Sequence, residues 1–224
     1  MPAVPFTKRV DGSLGFDDSP KLGSETKQRL GWERNMGTTL CWVRHGETDW
    51  NAQRRLQGRE DIPLNSRGRI QAEAVGQYLA LSTWHKIAAS PLSRAWETAV
   101  IISRITGIEG PIRMNDLQER DYGSGSGLTS EERAQRFVNG RASDIEPMEA
   151  MRLRVGRALK DLTQNYPHQS VVVVAHGGTI NVVLSLLSGG EIGTGKTVLA
   201  NASLSVVAYE NKTWRIVGFN QRIV

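Results

Sequence analysis

Two short apolar runs, far apart in the chain, each end in a histidine followed by glycine. Leu40-Cys41-Trp42-Val43 leads into Arg44-His45-Gly46, and Val171-Val172-Val173-Val174-Ala175 leads into His176-Gly177-Gly178. An uninterrupted apolar, β-branched run of this length reads as a buried strand, the habit of parallel sheets covered on both faces by helices. Open α/β folds gather their ligands at the carboxyl ends of such strands. Both histidines therefore fall at comparable strand ends, and a pocket between them becomes the first functional expectation.

The rest of the chain supplies the covering helices. Ser66 can cap a helix whose apolar face is Ile70, Ala74, Val75, Tyr78 and Leu79. After a short strand at Lys86 to Ala89, Ser90-Pro91 reads as a helix start, a Ser cap followed by Pro at the first helical position. Arg94 then lies within about the first turn, where free N–H groups favour anions. Pro147 opens a third amphipathic helix, with Met148, Met151, Val155, Ala158, Leu159 and Leu162 on one face and Pro167 beyond its end. A methionine-bearing stripe of this kind is a core face. Leu204 to Tyr209 and Trp214 to Phe219 form a hairpin about Asn211-Lys212 at the sheet edge.

With 224 residues the chain can hold one sizeable domain and an extension. Residues 1–36, rich in Pro, Gly, Ser and charge without an apolar period, are expected to be a flexible extension, leaving 37–224 as the catalytic domain. The net charge of +5 is dispersed among acids, with no basic stripe interleaved with aromatics, so nucleic acid is not the expected partner. No apolar stretch reaches membrane-spanning length and none resembles a secretory core, so we expect a cytoplasmic protein without a membrane partner. Cys41, the single cysteine, excludes an intramolecular disulfide and a cysteine-based metal site.

Gly190-Glu191-Ile192-Gly193-Thr194-Gly195-Lys196-Thr197 satisfies the phosphate-loop pattern G-x-x-x-x-G-K-T. Its context is wrong, because a helical pattern precedes it and a strand follows. It is read as a mobile glycine loop. A second glycine-dense loop, Tyr122 to Gly127, has no rigidity from propensity alone.

One use accounts for Arg44, His45, Asn51, Gln57, Arg94, Glu119 and His176 together. Two arginines and a second imidazole can surround a tetrahedral dianion while one histidine attacks its phosphorus. The attacking nitrogen must be bare, with the other ring N–H held by an acceptor such as a backbone carbonyl. Gly46 is expected to allow the close backbone approach this needs. A leaving alkoxide requires a proton, and Glu119 is the candidate acid. This scheme asks for no metal.

The blocks Arg44-His45-Gly46-Glu47-Thr48 with Asn51, Leu56-Gln57-Gly58 with Pro63-Leu64, Ser90-Pro91-Leu92-Ser93-Arg94-Ala95 with Glu97-Thr98-Ala99, Glu119, and Ala175-His176-Gly177-Gly178 follow in this order. The set resembles the histidine phosphatase superfamily, the phosphoglycerate mutase-like proteins, over roughly residues 38 to 220. The resemblance implies a three-layer α/β/α sandwich around a mostly parallel sheet. It also implies His45 as the phosphorylated nucleophile, Arg44, Arg94 and His176 as holders of the phosphoryl group, and Glu119 as proton donor. Asn51, Gln57, Gly58 and the Gly177 backbone become further substrate contacts.

Two local features bear on substrate. Phosphatases of this family usually place an aromatic residue two positions beyond the glycine that follows the acid; this chain has Gly125 in Gly123-Ser124-Gly125, which implies an open or mobile pocket wall. Glu119-Arg120-Asp121-Tyr122-Gly123 resembles the mutase motif, in which Arg120 and Tyr122 would contact phosphoglycerate, although mutases carry His where Asp121 stands. From Glu119 to His176 there are 57 positions (176 − 119), short beside the lid of the mutases, so water should reach a phosphohistidine. The expected activity is a histidine acid phosphatase-type phosphomonoesterase of the phosphatase branch, acting on a small phosphorylated metabolite without a cofactor. The alternatives are a mutase dependent on 2,3-bisphosphoglycerate and a non-catalytic phosphate-binding or interaction module. Self-association is left open by the sequence.

Overall fold

The computed structural model describes residues 37–140 and 142–223, together with Thr7–Lys8 and Leu14–Gly15, which pair antiparallel. The rest of the expected extension lies outside the described residues. Six strands form the central sheet: β1 (Thr38–Arg44), β2 (Lys86–Ala89), β3 (Ile112–Arg113), β4 (Ser170–Ala175), β5 (Leu204–Glu210) and β6 (Thr213–Gln221). Their spatial order is β3-β2-β4-β1-β5-β6. The pairs β3/β2, β2/β4 and β4/β1 are parallel, and β1/β5 and β5/β6 are antiparallel. The mostly parallel sheet expected from the two apolar runs is therefore present. Among the described residues no helix is long and apolar enough to cross a membrane.

Alternation along the central strands feeds two separate cores. Leu40, Trp42, Val171 and Val173 face one way, against Met151, Val155 and Leu159 of α5 (Met148–Asn165) and Ile180 and Val183 of α6 (Gly177–Leu187). Cys41, Val43, Val172 and Val174 face the other way, against Val75 and Leu79 of α2 (Ser66–Leu79) and Ala95, Ala99 and Ile102 of α3 (Ser93–Thr106). Burial on both faces explains why these strands carry no polar position in their middles, and it makes the molecule a three-layer sandwich.

Several local expectations shift by a residue or two. Asn65, rather than Ser66, caps α2 by accepting from the Gly68 N–H at 2.8 Å. Ile70 is 63 % exposed, and Ala72 and Gly76 take its place in the buried face of α2. Helix α3 begins at Ser93 with Leu92 as its cap, so Ser90-Pro91 is a turn before the helix. This releases the Ser90 hydroxyl for the site described below. Asn211 and Lys212 both take positive φ, 51° and 61°, the twist that closes a two-residue hairpin between β5 and β6. The Gly190–Thr197 segment is not a loose loop. Gly193 packs so closely on the backbone of α6 at Asn181 and Ser185 that a Cβ would overlap it, and Asn181 Nδ2 donates to Thr197 O at 2.9 Å.

Candidate active site

Strands β1 and β4 run side by side and end together, with Arg44 paired to Ala175 in register. The His45 N–H continues the ladder by donating to Ala175 O at 3.0 Å. His45 and His176 consequently lie next to each other past the strand ends, their ring centroids 5.2 Å apart. Both are buried, at 3 % and 0 % exposure.

The tautomer of His45 follows from its neighbours. Nδ1 lies 2.7 Å from Gly46 O, and a carbonyl can only accept, so Nδ1 carries the hydrogen. Nε2 is left with its lone pair, toward which Arg94 Nε donates at 3.3 Å. Burial, then the adjacent Arg94 and Arg44 cations, pushes the His45 pKa well below the usual imidazole value. A ring in this state presents a bare nitrogen at neutral pH. His176 is held neutral in the same way, by burial first and Arg94 next. Its Nε2 is 2.8 Å from Ser90 Oγ, while buried Nδ1 has no partner among the described residues.

Two guanidinium groups flank this pair, that of Arg94 buried and that of Arg44 half-buried. Arg94 is 1 % exposed and donates to Glu60 O and Gly58 O, both at 2.7 Å. Burial lowers its pKa to about 10, which still leaves it charged near neutrality. Arg44 donates to Leu199 O through Nη1, and its buried Nε has no partner. Neither arginine lies within 4.0 Å of a carboxylate oxygen among the described residues. Glu119 acts on both from a distance and Asp61 on Arg94, but two desolvated cations without a directly paired carboxylate are costly unless an anion completes them.

Glu119 closes the site from the far side, at 8 % exposure. Its Oε1 accepts from the Arg120 N–H at 2.8 Å and its Oε2 from the Gly178 N–H at 2.9 Å, at the start of α6. Arg44, His45, Arg94 and Glu119 line one cleft of about 600 Å³, together with Asn51, Gln57, Gly58, Tyr122 and Gly177; His176, fully buried against His45, is not part of its lining. Such a cleft offers a neutral imidazole nitrogen, two unneutralised cations and a carboxyl to one ligand. Among the described residues no group of three or more His, Cys, Asp or Glu is placed to hold a metal ion.

A family model for the histidine phosphatase superfamily (branch 1) matches residues 40–222. The chain belongs to the histidine phosphatase superfamily. It is 40 % identical over 183 residues to the uncharacterized phosphatase PhoE of Bacillus subtilis, covering 82 % of this chain and 94 % of that one. It is 33 % identical over 191 residues to a probable phosphoglycerate mutase GpmB of Enterobacter sp., covering 79 % and 87 %. In three dimensions it matches a mycobacterial glucosyl-3-phosphoglycerate phosphatase, solved as a complex with VO3, at a TM-score of 0.75 and 26 % identity, covering 82 % of this chain and 99 % of that one.

One expected contact is arranged differently from the sequence reading. Arg120 does not line the cleft; its Nε donates to Glu146 O at 2.9 Å and its guanidinium lies 5.8 Å from the Tyr122 ring centroid. Gly46 is required by the scaffold, since a Cβ there would overlap Gly68 O of α2. The glycine loop after the acid is tied down. Gly123, with φ of 51°, lies so close to Asp144 that a Cβ would overlap its carboxylate, and Asp144 accepts from Ser124 N at 2.9 Å and Ser124 Oγ at 3.0 Å.

Three supporting residues escaped the sequence reading. Asn201 Nδ2 reaches His45 O at 3.2 Å, Gly46 O at 3.3 Å and Asn51 Oδ1 at 3.0 Å, fixing the turn that aims the imidazole. The Thr98 hydroxyl accepts from the Gly46 N–H at 3.1 Å. Arg154 of α5, 6 % exposed, donates to the carbonyls of Asp116, Gln118 and Glu119 and pairs with Glu146 at 2.8 Å. Thr98 lay inside a recognised block; Asn201 and Arg154 stand in no motif and reach the site from positions distant in sequence, mostly through backbone carbonyls.

Proposed function

We propose that this chain is a phosphomonoesterase that works through a phosphohistidine on His45. The observation that carries the reading is a pair of arginines, buried Arg94 and half-buried Arg44, with no carboxylate within 4.0 Å among the described residues, beside the bare Nε2 of His45. A phosphoryl dianion supplies the missing counter-charge and places phosphorus before that nitrogen. Nε2 attacks, the ester P–O bond breaks, and Glu119 gives a proton to the departing oxygen. Water then attacks the phosphohistidine with Glu119 as base, releasing inorganic phosphate and restoring His45. His176 Nδ1, Asn51, Gln57 and the N–H groups at the start of α6 donate to equatorial oxygens, where charge spreads in the transition state. No step calls on a metal or an organic cofactor. We place the reaction in the cytoplasm, a reducing setting compatible with one buried thiol.

The relatives include a named phosphatase and a probable mutase. Between Glu119 and α5 the described residues build only the seven-residue helix α4 (Ser130–Arg136) and short 3-10 turns, which favours access of water and hence hydrolysis. A phosphate-release screen over sugar, glycerate, nucleotide and peptide phosphates, run beside a mutase assay, separates the two. Hydrolysis without added bisphosphate is expected. Conversion of 3-phosphoglycerate to 2-phosphoglycerate that is stimulated by bisphosphate and outpaces phosphate release would establish the mutase instead, and phosphate binding without turnover would indicate a silent module.

A further inference from the structure

The cleft contains one more cation than a phosphoryl group requires. Arg44, Arg55, Arg94 and Arg133 line it, and Glu119 is the acid among its lining residues. Arg44 and Arg94 flank the two imidazoles and match the dianion. Arg55 is neutralised by Glu132 at 2.9 Å and also donates to Gly127 O at 2.7 Å. Arg133 remains. It has no carboxylate within 4.0 Å among the described residues, and only Nη1 is engaged, on Leu128 O at 3.2 Å.

Local backbone explains how this guanidinium reaches the cleft. A Cβ built on Gly125 would stand 3.8 Å from Arg133 Cδ and 3.7 Å from Ala142 Cβ, ordinary contact distances, so a larger side chain there would meet the arginine stem. The stem of Arg133 thus packs beside Gly125, the position at which the family resemblance would place an aromatic residue. Tyr122 and the tethered Gly123 turn hold the floor of this corner in place. Arg120, which the mutase-like motif would assign to a second ligand group, is turned away onto Glu146 O.

We infer that Arg133 is a second anion subsite and that the substrate is a phosphomonoester bearing a further anionic group, a carboxylate or a second phosphate. This rests on the proposed hydrolase reading, and it replaces an aromatic wall with a charge-selective one. A planar guanidinium with free N–H groups suits either oxyanion, through charge-assisted hydrogen bonds.

Matched substrate pairs test it. O-phosphoserine and O-phosphoethanolamine differ by the carboxylate, and fructose 1,6-bisphosphate and fructose 6-phosphate by the second phosphate. For the wild type, kcat/KM should favour the doubly charged member of one pair, which identifies the anion. In Arg133→Gln that ratio should fall by ~10- to 100-fold, the worth of a charge-assisted hydrogen bond, chiefly through KM. Arg133→Lys should restore part of it, and Gly125→Trp, which crowds the arginine stem, should lower it as well. Calorimetric binding of the same pairs to His45→Ala gives the comparison without turnover, so a failure of hydrolysis counts against the phosphohistidine mechanism and not against the subsite. A wild type with no preference in either pair, or a preference that Arg133→Gln leaves intact, overturns the inference.

Discussion

Glu119 depends on the absence of a side chain fifty-nine positions (178 − 119) away. The Gly178 N–H holds its Oε2 at 2.9 Å, and a Cβ on Gly178 would overlap Oε1. We predict that Glu119→Gln lowers kcat by ~10²- to 10⁴-fold on an alkyl phosphate but far less on nitrophenyl phosphate, whose leaving group needs little protonation. Equal losses on the two substrates would remove the general-acid role. Gly178→Ala should mimic this leaving-group signature through misplacement of the carboxylate, with an alkyl-phosphate loss on the order of 10²-fold. A steady-state comparison of the two esters decides it; unchanged kinetics would mean that the carboxylate tolerates the shift. Glu119 was legible because it stands in a recognised block. The reason for glycine at 178 was not, since it lies in the close approach of the first turn of α6 to the Glu119 side chain, which no local pattern encodes.

Helix α5 was expected to present an apolar face, and Met151, Val155, Ala158, Leu159 and Leu162 are indeed buried. Arg154 is buried among them, however, with its guanidinium spread over three carbonyls of the segment 116–119 and the Glu146 carboxylate. The helix therefore anchors the strand of backbone from which Glu119 projects. Replacing Arg154 by Met strips the carbonyls of Asp116, Gln118 and Glu119 of their donor and leaves Glu146 to Arg59 at 3.2 Å, for which we predict a loss of about 2–4 kcal/mol in urea unfolding. Arg154→Lys should lose part of this, because a point charge cannot reproduce the fork. A stability change below about 1 kcal/mol for Arg154→Met would show that water or a neighbouring cation replaces it. Periodicity identified the helix and most of its face but not the arginine, since a charged residue beside an apolar stripe reads equally well as solvated. The caps moved for a related reason. Asn65 and Ser66 are interchangeable by propensity and tertiary contacts choose between them, whereas α3 starts after Leu92 without a side-chain cap because Ser90 faces His176 instead.

At the scale of the whole molecule, the two apolar runs determined most of the architecture. Val171 to Val174 and Leu40 to Val43 had to be covered on both faces, and parallel pairing followed with helices on each side. The cost of this arrangement is two histidines buried in neutral form among cations, with folded pKa values well below the usual imidazole value. Above pH ~6.5 they are neutral in folded and unfolded chains alike, so their burial adds no pH dependence. Below it the unfolded chain binds protons that the folded chain refuses, and stability falls as pH drops toward the folded values. We predict a urea midpoint that decreases between pH 6.5 and 5, with a slope of up to about 1.4 kcal/mol per pH unit for each histidine. A flat midpoint across that window would mean that the rings are charged in the fold.

The chemistry assigned to the meeting of β1 and β4 is tested most directly by rapid quenching during turnover of a labelled phosphate ester. A phosphoryl group on His45 that survives alkali, is lost in acid and is absent from His45→Ala is the predicted result. Turnover in His45→Ala at the wild-type rate, or a label that resists acid, would contradict it.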